Sequence, residues 1–256
     1  MLTHNPQTWF ETPLGQYLLA REQDYFDQAV ADVFGFNALQ VGLPQFDFLR
    51  ANRISLKIVA SREAGETVML RAAPDFLPIE TSSIDLILLP HVLEFSDNPH
   101  QILREVERVL MPEGHVIISG FNPRSLWGAK RNWTEDEASY PWCGNFIALP
   151  RLKDWMKLLD FEVTAGRLCC YVPPFAQEKW LQRFAFMEAA GDRWWPISGG
   201  VYFLAAVKRV YGMRVIKPDW KDVLAAKNSL APISQKLKGS REPSVTARQS
   251  KPTGDS

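Results

Sequence analysis

Hydrophobic residues along this chain keep two rhythms. Short apolar runs of strand length alternate with stretches in which apolar residues recur at helical spacing. The runs are Asn37 to Gly42, Ile54 to Ala60, Thr67 to Leu70, Ile84 to Leu89, His115 to Gly120, one beginning at Asp160-Phe161-Glu162-Val163, and Gly200 to Lys208. Thr12-Pro13 predicts a helix start, with Thr as N-cap and Pro in the first turn. Leu18, Tyr25, Phe26, Ala29, Val30 and Val33 make its apolar face, and Gly35 is the expected stop. A later helix opens at Leu149-Pro150 with Leu152, Trp155, Met156 and Leu159 on one side. Strands alternating with helices predict an α/β fold built on a doubly wound, mostly parallel seven-stranded sheet.

The most regular stretch is Ile84 to Pro123. Its first strand, Ile84 to Leu89, is apolar throughout, as a strand buried on both faces must be. A helix follows at Asn98-Pro99, Asn as N-cap and Pro at the first helical position. Ile102, Leu103, Val106, Val109 and Leu110 form one stripe, with Arg104, Glu105, Glu107 and Arg108 on the other side. Met111-Pro112-Glu113-Gly114 turns the chain into the strand His115 to Gly120. Strand, crossover helix and strand predict a parallel pair with a right-handed connection.

This stretch resembles the second half of class I S-adenosylmethionine (SAM) dependent methyltransferases of the type 11 group. Asp85-Leu86, His91-Val92-Leu93-Glu94, Asn98-Pro99, Leu103, Glu105, Arg108-Val109-Leu110, Pro112, Gly114, Ile118-Ser119 and Asn122-Pro123 carry the resemblance. It is weaker over residues 35–210. It implies a Rossmann-like sheet whose last strand, Gly200 to Lys208, runs antiparallel. It also implies SAM as cofactor and an N-terminal helix, 12–34, that helps cover it; plain packing on the sheet is the alternative for that helix.

The cofactor half departs from the family pattern. There an acidic residue, an apolar residue and Gly-x-Gly-x-Gly follow the first strand. Here the run is Gln40-Val41-Gly42-Leu43-Pro44-Gln45-Phe46. Gly42 stands at the first glycine. Pro44, which offers no N–H, and Phe46, which fills space, replace the others. Gln40 replaces the acid. The ribose-binding acid after strand two falls at Ala60 or Ser61, with Glu63 in reach only through a shifted loop; the adenine-binding Asp after strand three falls at Ala73, with Asp75 beyond. The resemblance thus assigns the cofactor to Gln40, Gly42, Ser61, Ala73, Pro90 and His91. Each lost charged hydrogen bond is worth roughly 1.5–3 kcal/mol. The degenerate first motif is similar to that of an uncharacterised bacterial subgroup of the family.

Two insertions complete the domain, 124–146 and 171–196, within a core of 37–208 and a domain of 1–217. They hold six of the nine tryptophans. At the carboxyl ends of parallel strands such loops form ligand lids, and in the family these two build the substrate lid. Clustered Trp suits a hydrophobic or planar ligand or a partner surface; the alternative is a roof on the core. Asn122, Arg124 and Trp127 are the candidate substrate contacts.

Charge adds a division. The formal net charge is zero, yet residues 207–256 hold eleven Lys/Arg against four Asp/Glu, leaving the body near −7. Residues 218–256 form a basic tail, with disorder expected over its final Lys-, Arg-, Ser- and Pro-rich part. Such a tail suits RNA, a membrane surface, the acidic body or simple solvation. Three cysteines, Cys143 and the adjacent Cys169 and Cys170, make no disulfide framework and no metal set. The start lacks a signal-peptide pattern, and Ile197 to Val207 is too short to span a bilayer. A reducing, cytoplasmic setting is the expectation.

For chemistry, methyl transfer needs proximity and orientation, and a base only where the nucleophile must lose a proton. His91, after strand four, is the candidate base with Glu94 to orient it; the plainer reading is that its ring or carbonyl lines the cofactor pocket. Phe121-Asn122-Pro123 follows strand five, so it is not the nucleic-acid amino-methylase motif, which follows strand four. No Gly-x-Ser-x-Gly, phosphate-binding Gly-x-x-x-x-Gly-Lys or His-Glu-x-x-His run occurs. Two functions remain: a SAM-dependent methyltransferase acting on a small, hydrophobic or aromatic molecule, or a catalytically silent protein of the same fold that binds a protein partner through its Trp-rich loops or basic tail.

Overall fold

A computed structural model describes residues 6–133 and 139–210. The basic tail, 218–256, lies outside the described residues. Among the described residues the elements are α1 (Pro6–Phe10), α2 (Pro13–Ala31), β1 (Asn37–Val41), β2 (Leu56–Ser61), β3 (Leu70–Arg71), β4 (Ile84–Pro90), α3 (Pro99–Val109), β5 (Leu110–Phe121), α4 (Leu126–Trp133), α5 (Leu149–Leu158), β6 (Phe161–Cys169), α6 (Glu178–Arg183), α7 (Phe186–Trp194) and β7 (Val201–Lys208).

The seven strands form one sheet in the order β3-β2-β1-β4-β5-β7-β6. β1 to β5 are mutually parallel, and β7 enters antiparallel between β5 and β6, as the resemblance implied. Side chains alternate across the sheet with the strand period of two. Ala38, Leu86, Leu88, Ile117 and Phe203 join the face covered by α1 and α2. Leu39, Val41, Ile87, Leu89, Val116 and Ile118 join the face covered by α3 and α5. That double burial is why β4 carries no polar residue except Asp85.

Asp85 itself has a structural task. Its Oδ2 accepts hydrogen bonds from the backbone N–H groups of Phe36 (2.8 Å) and Asn37 (2.9 Å). Gly35 is needed there: a Cβ at this position would lie 2.4 Å from the Asp85 side chain. The expected role of Gly35 as a helix stop is therefore corrected. α2 ends earlier, at Ala31, with Asp32 as its cap.

The N-cap of α2 is as expected: Thr12 accepts from the Gly15 N–H at 3.1 Å. That of α3 is not. Asn98 precedes the helix but makes no side-chain cap bond; its own N–H is taken by Ser96 Oγ at 3.1 Å. On α3, Glu105 and Arg108 also leave the solvent side assigned to them. Glu105 is buried and accepts from the Leu77 N–H (3.1 Å), and Arg108 donates to the carbonyls of Leu77 and Ile79 (2.9 Å each). The pair clamps the loop before β4.

The regular alternation fails in the first half. The connections 42–55, 62–69 and 72–83 hold turns and no helix. Pro, Gly and Asn punctuate them, and Phe48, Leu49 and Ile54 fill the sheet face directly from a loop. β2 starts at Leu56 and β3 at Leu70, later than expected. The turn Met111 to Gly114 interrupts β5: Ile84 pairs Leu110, but Leu86 already pairs His115.

Candidate functional site

Strand order reverses direction between β1 and β4, and ligands in open α/β sheets bind beside the carboxyl ends of strands at such a switch point. A cleft of about 690 Å³ lies there. One wall is the loop after β1, a second the loop 61–67, and a third the turn 90–92; Phe95, Tyr140 and Cys143 close it from the side.

The loop after β1 is bent by two consecutive left-handed residues, Gly42 (φ 84°) and Leu43 (φ 43°). A Cβ on residue 42 would stand 2.9 Å from Val92 Cγ2. Glycine is required here by conformation and by space. Phe46, where the family has its third glycine, turns inward onto Phe10, ring centroids 4.9 Å apart.

Gln40 does not face the cleft. It is fully buried, and its amide is consumed by the loop it precedes. Nε2 donates toward the carbonyls of Gly42 (3.2 Å), Leu43 (3.2 Å) and Phe46 (2.8 Å), while Oε1 accepts from the Phe48 N–H (3.1 Å). Assigning it to the cofactor is corrected: a carboxylate could not donate these bonds, so the amide belongs to a helix-free loop that needs an internal clamp.

Ser61 lines the cleft, its Oγ accepting from the Glu63 N–H at 3.3 Å. Glu63, expected in reach only through a shifted loop, lines it too, as does Glu66. Ala73 does not line it. It pairs with Phe76 in an isolated bridge, and the neighbouring Pro74 takes the place at the rim. Asp75 is turned to Arg62, 3.5 Å away.

Pro90 and His91 line the cleft. His91 has a left-handed backbone (φ 51°) and donates its N–H to Ser119 O at 3.2 Å. Its ring is buried and stacks on Phe121 at 4.2 Å. Nδ1 lies 2.6 Å from Glu94 Oε1 and Nε2 2.5 Å from Glu22 Oε1. Burial alone would lower the imidazole pKa, but the two carboxylates and their hydrogen bonds outweigh it and raise it from 6.5 to about 10. His91 is thus an imidazolium at neutral pH with both nitrogens occupied. It cannot take a proton, and its candidacy as a base is corrected.

The three substrate candidates are not brought to the cleft. Asn122 is buried; its Nδ2 donates to Ile197 O and Gly199 O at 2.9 Å each, and its Oδ1 accepts from the Arg124 N–H at 3.0 Å. Trp127 is fully buried and donates Nε1–H to Val172 O at 3.0 Å. Arg124 is exposed and not a lining residue. Asn122 ties the end of β5 to the segment before β7, and Trp127 ties the first insertion to the second. Trp127 and Trp142 roof the core, whereas Trp194 and Trp195 are exposed.

Two residues were missed. Glu22 sits inside the apolar stripe of α2, where Leu14, Leu18, Glu22, Phe26 and Val30 follow at i, i+4 spacing and are all buried. An acid within such a stripe was the available signal. Tyr140 comes from the first insertion and had none. Its hydroxyl and Glu22 Oε2 are buried with no hydrogen-bond partner among the described residues. Burial first, and then the Glu22 and Glu94 carboxylates, push the phenol well above its ordinary value.

A family model described as a methyltransferase domain matches residues 49–118. The fold is that of the class I methyltransferases. The chain is 31% identical over 159 residues to the uncharacterized protein YafS of Escherichia coli, covering 62% of this chain and 66% of that one, just under two thirds of the relative's length. A SAM-dependent methyltransferase of Thermotoga maritima superposes with a TM-score of 0.55 at 19% identity, covering 79% of this chain and 94% of that one. Geranyl diphosphate C-methyltransferase of Streptomyces coelicolor, in complex with Mg²⁺, geranyl diphosphate and S-adenosyl-L-homocysteine, superposes at 0.52 with 16% identity, covering 76% and 80%. These structures share the methyltransferase fold. Among the described residues no helix is long and apolar enough to cross a membrane.

Proposed function

We propose that this chain is a SAM-dependent methyltransferase and that the cleft beside Gly42 holds the cofactor. The left-handed turn at Gly42-Leu43, opening a cleft at the switch point between β1 and β4, carries this reading. SAM supplies an activated methyl group on a sulfonium sulfur. The residues that would hold it are Gly42, whose missing Cβ leaves the backbone open to a ligand, the Pro90–Val92 turn, and Ser61 with Glu63 for the ribose hydroxyls.

The methyl acceptor in this reading is a small apolar or aromatic molecule. Val92, Phe95 and Tyr140 along the cleft support it. Because His91 holds its proton, the chain suits an acceptor that arrives with a free lone pair, such as a thiolate or a neutral amine. The three free thiols suit the reducing cytoplasm, where we place the protein.

Thermal shift with SAM and with its demethylated product S-adenosylhomocysteine (SAH) tests the reading. Ligand at a hundredfold over its Kd stabilises by about 2.7 kcal/mol, a shift of a few degrees for a domain of this size. No shift with either ligand at millimolar concentration rejects it and favours a silent protein of the same fold.

A further inference from the structure

Gln40 has left the acidic position of the family motif, yet acid is not missing from this end of the sheet. Glu22 from α2 and Glu94 from the turn after β4 flank one imidazolium, so the buried cluster formally holds two carboxylates against one cation. Glu94 Oε1 is further engaged by the Phe121 N–H at 3.2 Å. Glu22 Oε2 has no partner among the described residues, although the side chain is fully buried. Neither does the Tyr140 hydroxyl, although that residue is 3% exposed.

Leaving a carboxylate oxygen and a hydroxyl buried and unpaired is costly. A phenylalanine at 140 would avoid the unpaired hydroxyl. Tyr140 lines the cleft and stacks on Phe95, ring centroids 4.8 Å apart, so the same wall offers aromatic surface. Aromatic rings backed by excess negative charge attract an onium group and not its neutral counterpart.

We infer that Tyr140, in the wall of the cleft, and the buried Glu22 carboxylate together form a charge-selective subsite that favours the sulfonium of SAM over the neutral thioether of SAH. The inference rests on the cofactor reading above. It moves the acidic function from the strand, where the loop clamp has displaced it, to a helix that packs across the sheet. Selectivity of this kind favours release of the spent cofactor, because the charge that holds the ligand is lost when the methyl group leaves.

Isothermal titration calorimetry of the full chain with SAM and with SAH, for native protein, Tyr140→Phe and Glu22→Gln, tests it. The expectation is that each substitution weakens SAM by roughly tenfold, the scale of one partly desolvated onium–aromatic or charge contact, and leaves SAH within about twofold. Tyr140→Phe removes a hydroxyl without a partner among the described residues, so its unliganded melting temperature holds or rises. A loss of SAM binding in that variant is then not a loss of fold. Equal weakening of both ligands, or no weakening of either, overturns the subsite while leaving the cofactor reading in place. Native protein that binds neither ligand overturns the cofactor reading, and the subsite falls with it.

Discussion

His91 Nε2 and Glu22 Oε1 lie 2.5 Å apart, both side chains fully buried. The contact joins the turn after β4 to the middle of α2, 69 residues earlier in the chain. It converts an expected base into a fixed cation and makes the N-terminal helix part of the cleft's electrostatics.

Stability should therefore fall with rising pH through this group. The folded pKa of about 10 lies above the ordinary 6.5, so the contribution is full below 6.5 and is lost as pH climbs towards 10. Denaturant midpoints across pH 6 to 10 check the slope. His91→Gln should flatten it and, by leaving two buried carboxylates uncompensated, cost roughly 3–5 kcal/mol at pH 7.

Returning the family's acid at position 40 should harm the protein. In Gln40→Glu the carboxylate faces the carbonyls of Gly42, Leu43 and Phe46 with no hydrogen to donate. We expect a loss of about 1–3 kcal/mol or more in urea unfolding, and no gain in SAM affinity. Tighter SAM binding without loss of stability would contradict the clamp.

Gly42→Ala should cost about 1–2 kcal/mol for its left-handed backbone alone, before the 2.9 Å approach to Val92 is counted. SAM binding should weaken in the same variant, because the new methyl group points at the Pro90–Val92 wall. Calorimetric unfolding and titration read the two effects separately.

Arg124→Ala and Trp127→Ala should differ sharply. Arg124 is exposed and away from the cleft, so its removal should stay within about 0.5 kcal/mol and leave ligand binding unchanged. Trp127 is wholly buried and bonded to Val172 O, and its truncation should cost about 3–5 kcal/mol. A selective loss of binding in stable Arg124→Ala would restore it as a substrate contact.

Glu105 and Arg108 supply a further check. Arg108→Ala strips four acceptors, Glu105, Leu77 O, Ile79 O and Thr81 Oγ1. It leaves the Glu105 carboxylate, held below its usual range chiefly by that guanidinium, without its partner. Unfolding should ease by roughly 1–3 kcal/mol, with the fold's far-ultraviolet spectrum retained.

What the amino-acid order determined by itself is the sheet. Seven apolar runs, the stripe of α3 and the Thr12 cap depend on near neighbours and on burial, which periodicity records directly, and strand order followed from the family pattern. Glu22 in its apolar stripe was legible in principle, as a charge where only a paired charge can stay buried. The tertiary structure decided the partners. Gln40, Asp85, Glu105 and Asn122 are polar residues in motif positions, and a polar side chain serves a ligand or its own backbone according to which acceptor the fold sets within about 3 Å of it. Here the fold gave Gln40 three carbonyls, Asp85 two N–H groups and His91 two carboxylates. Those partners come from loops and helices distant in the chain, and no local pattern encodes them.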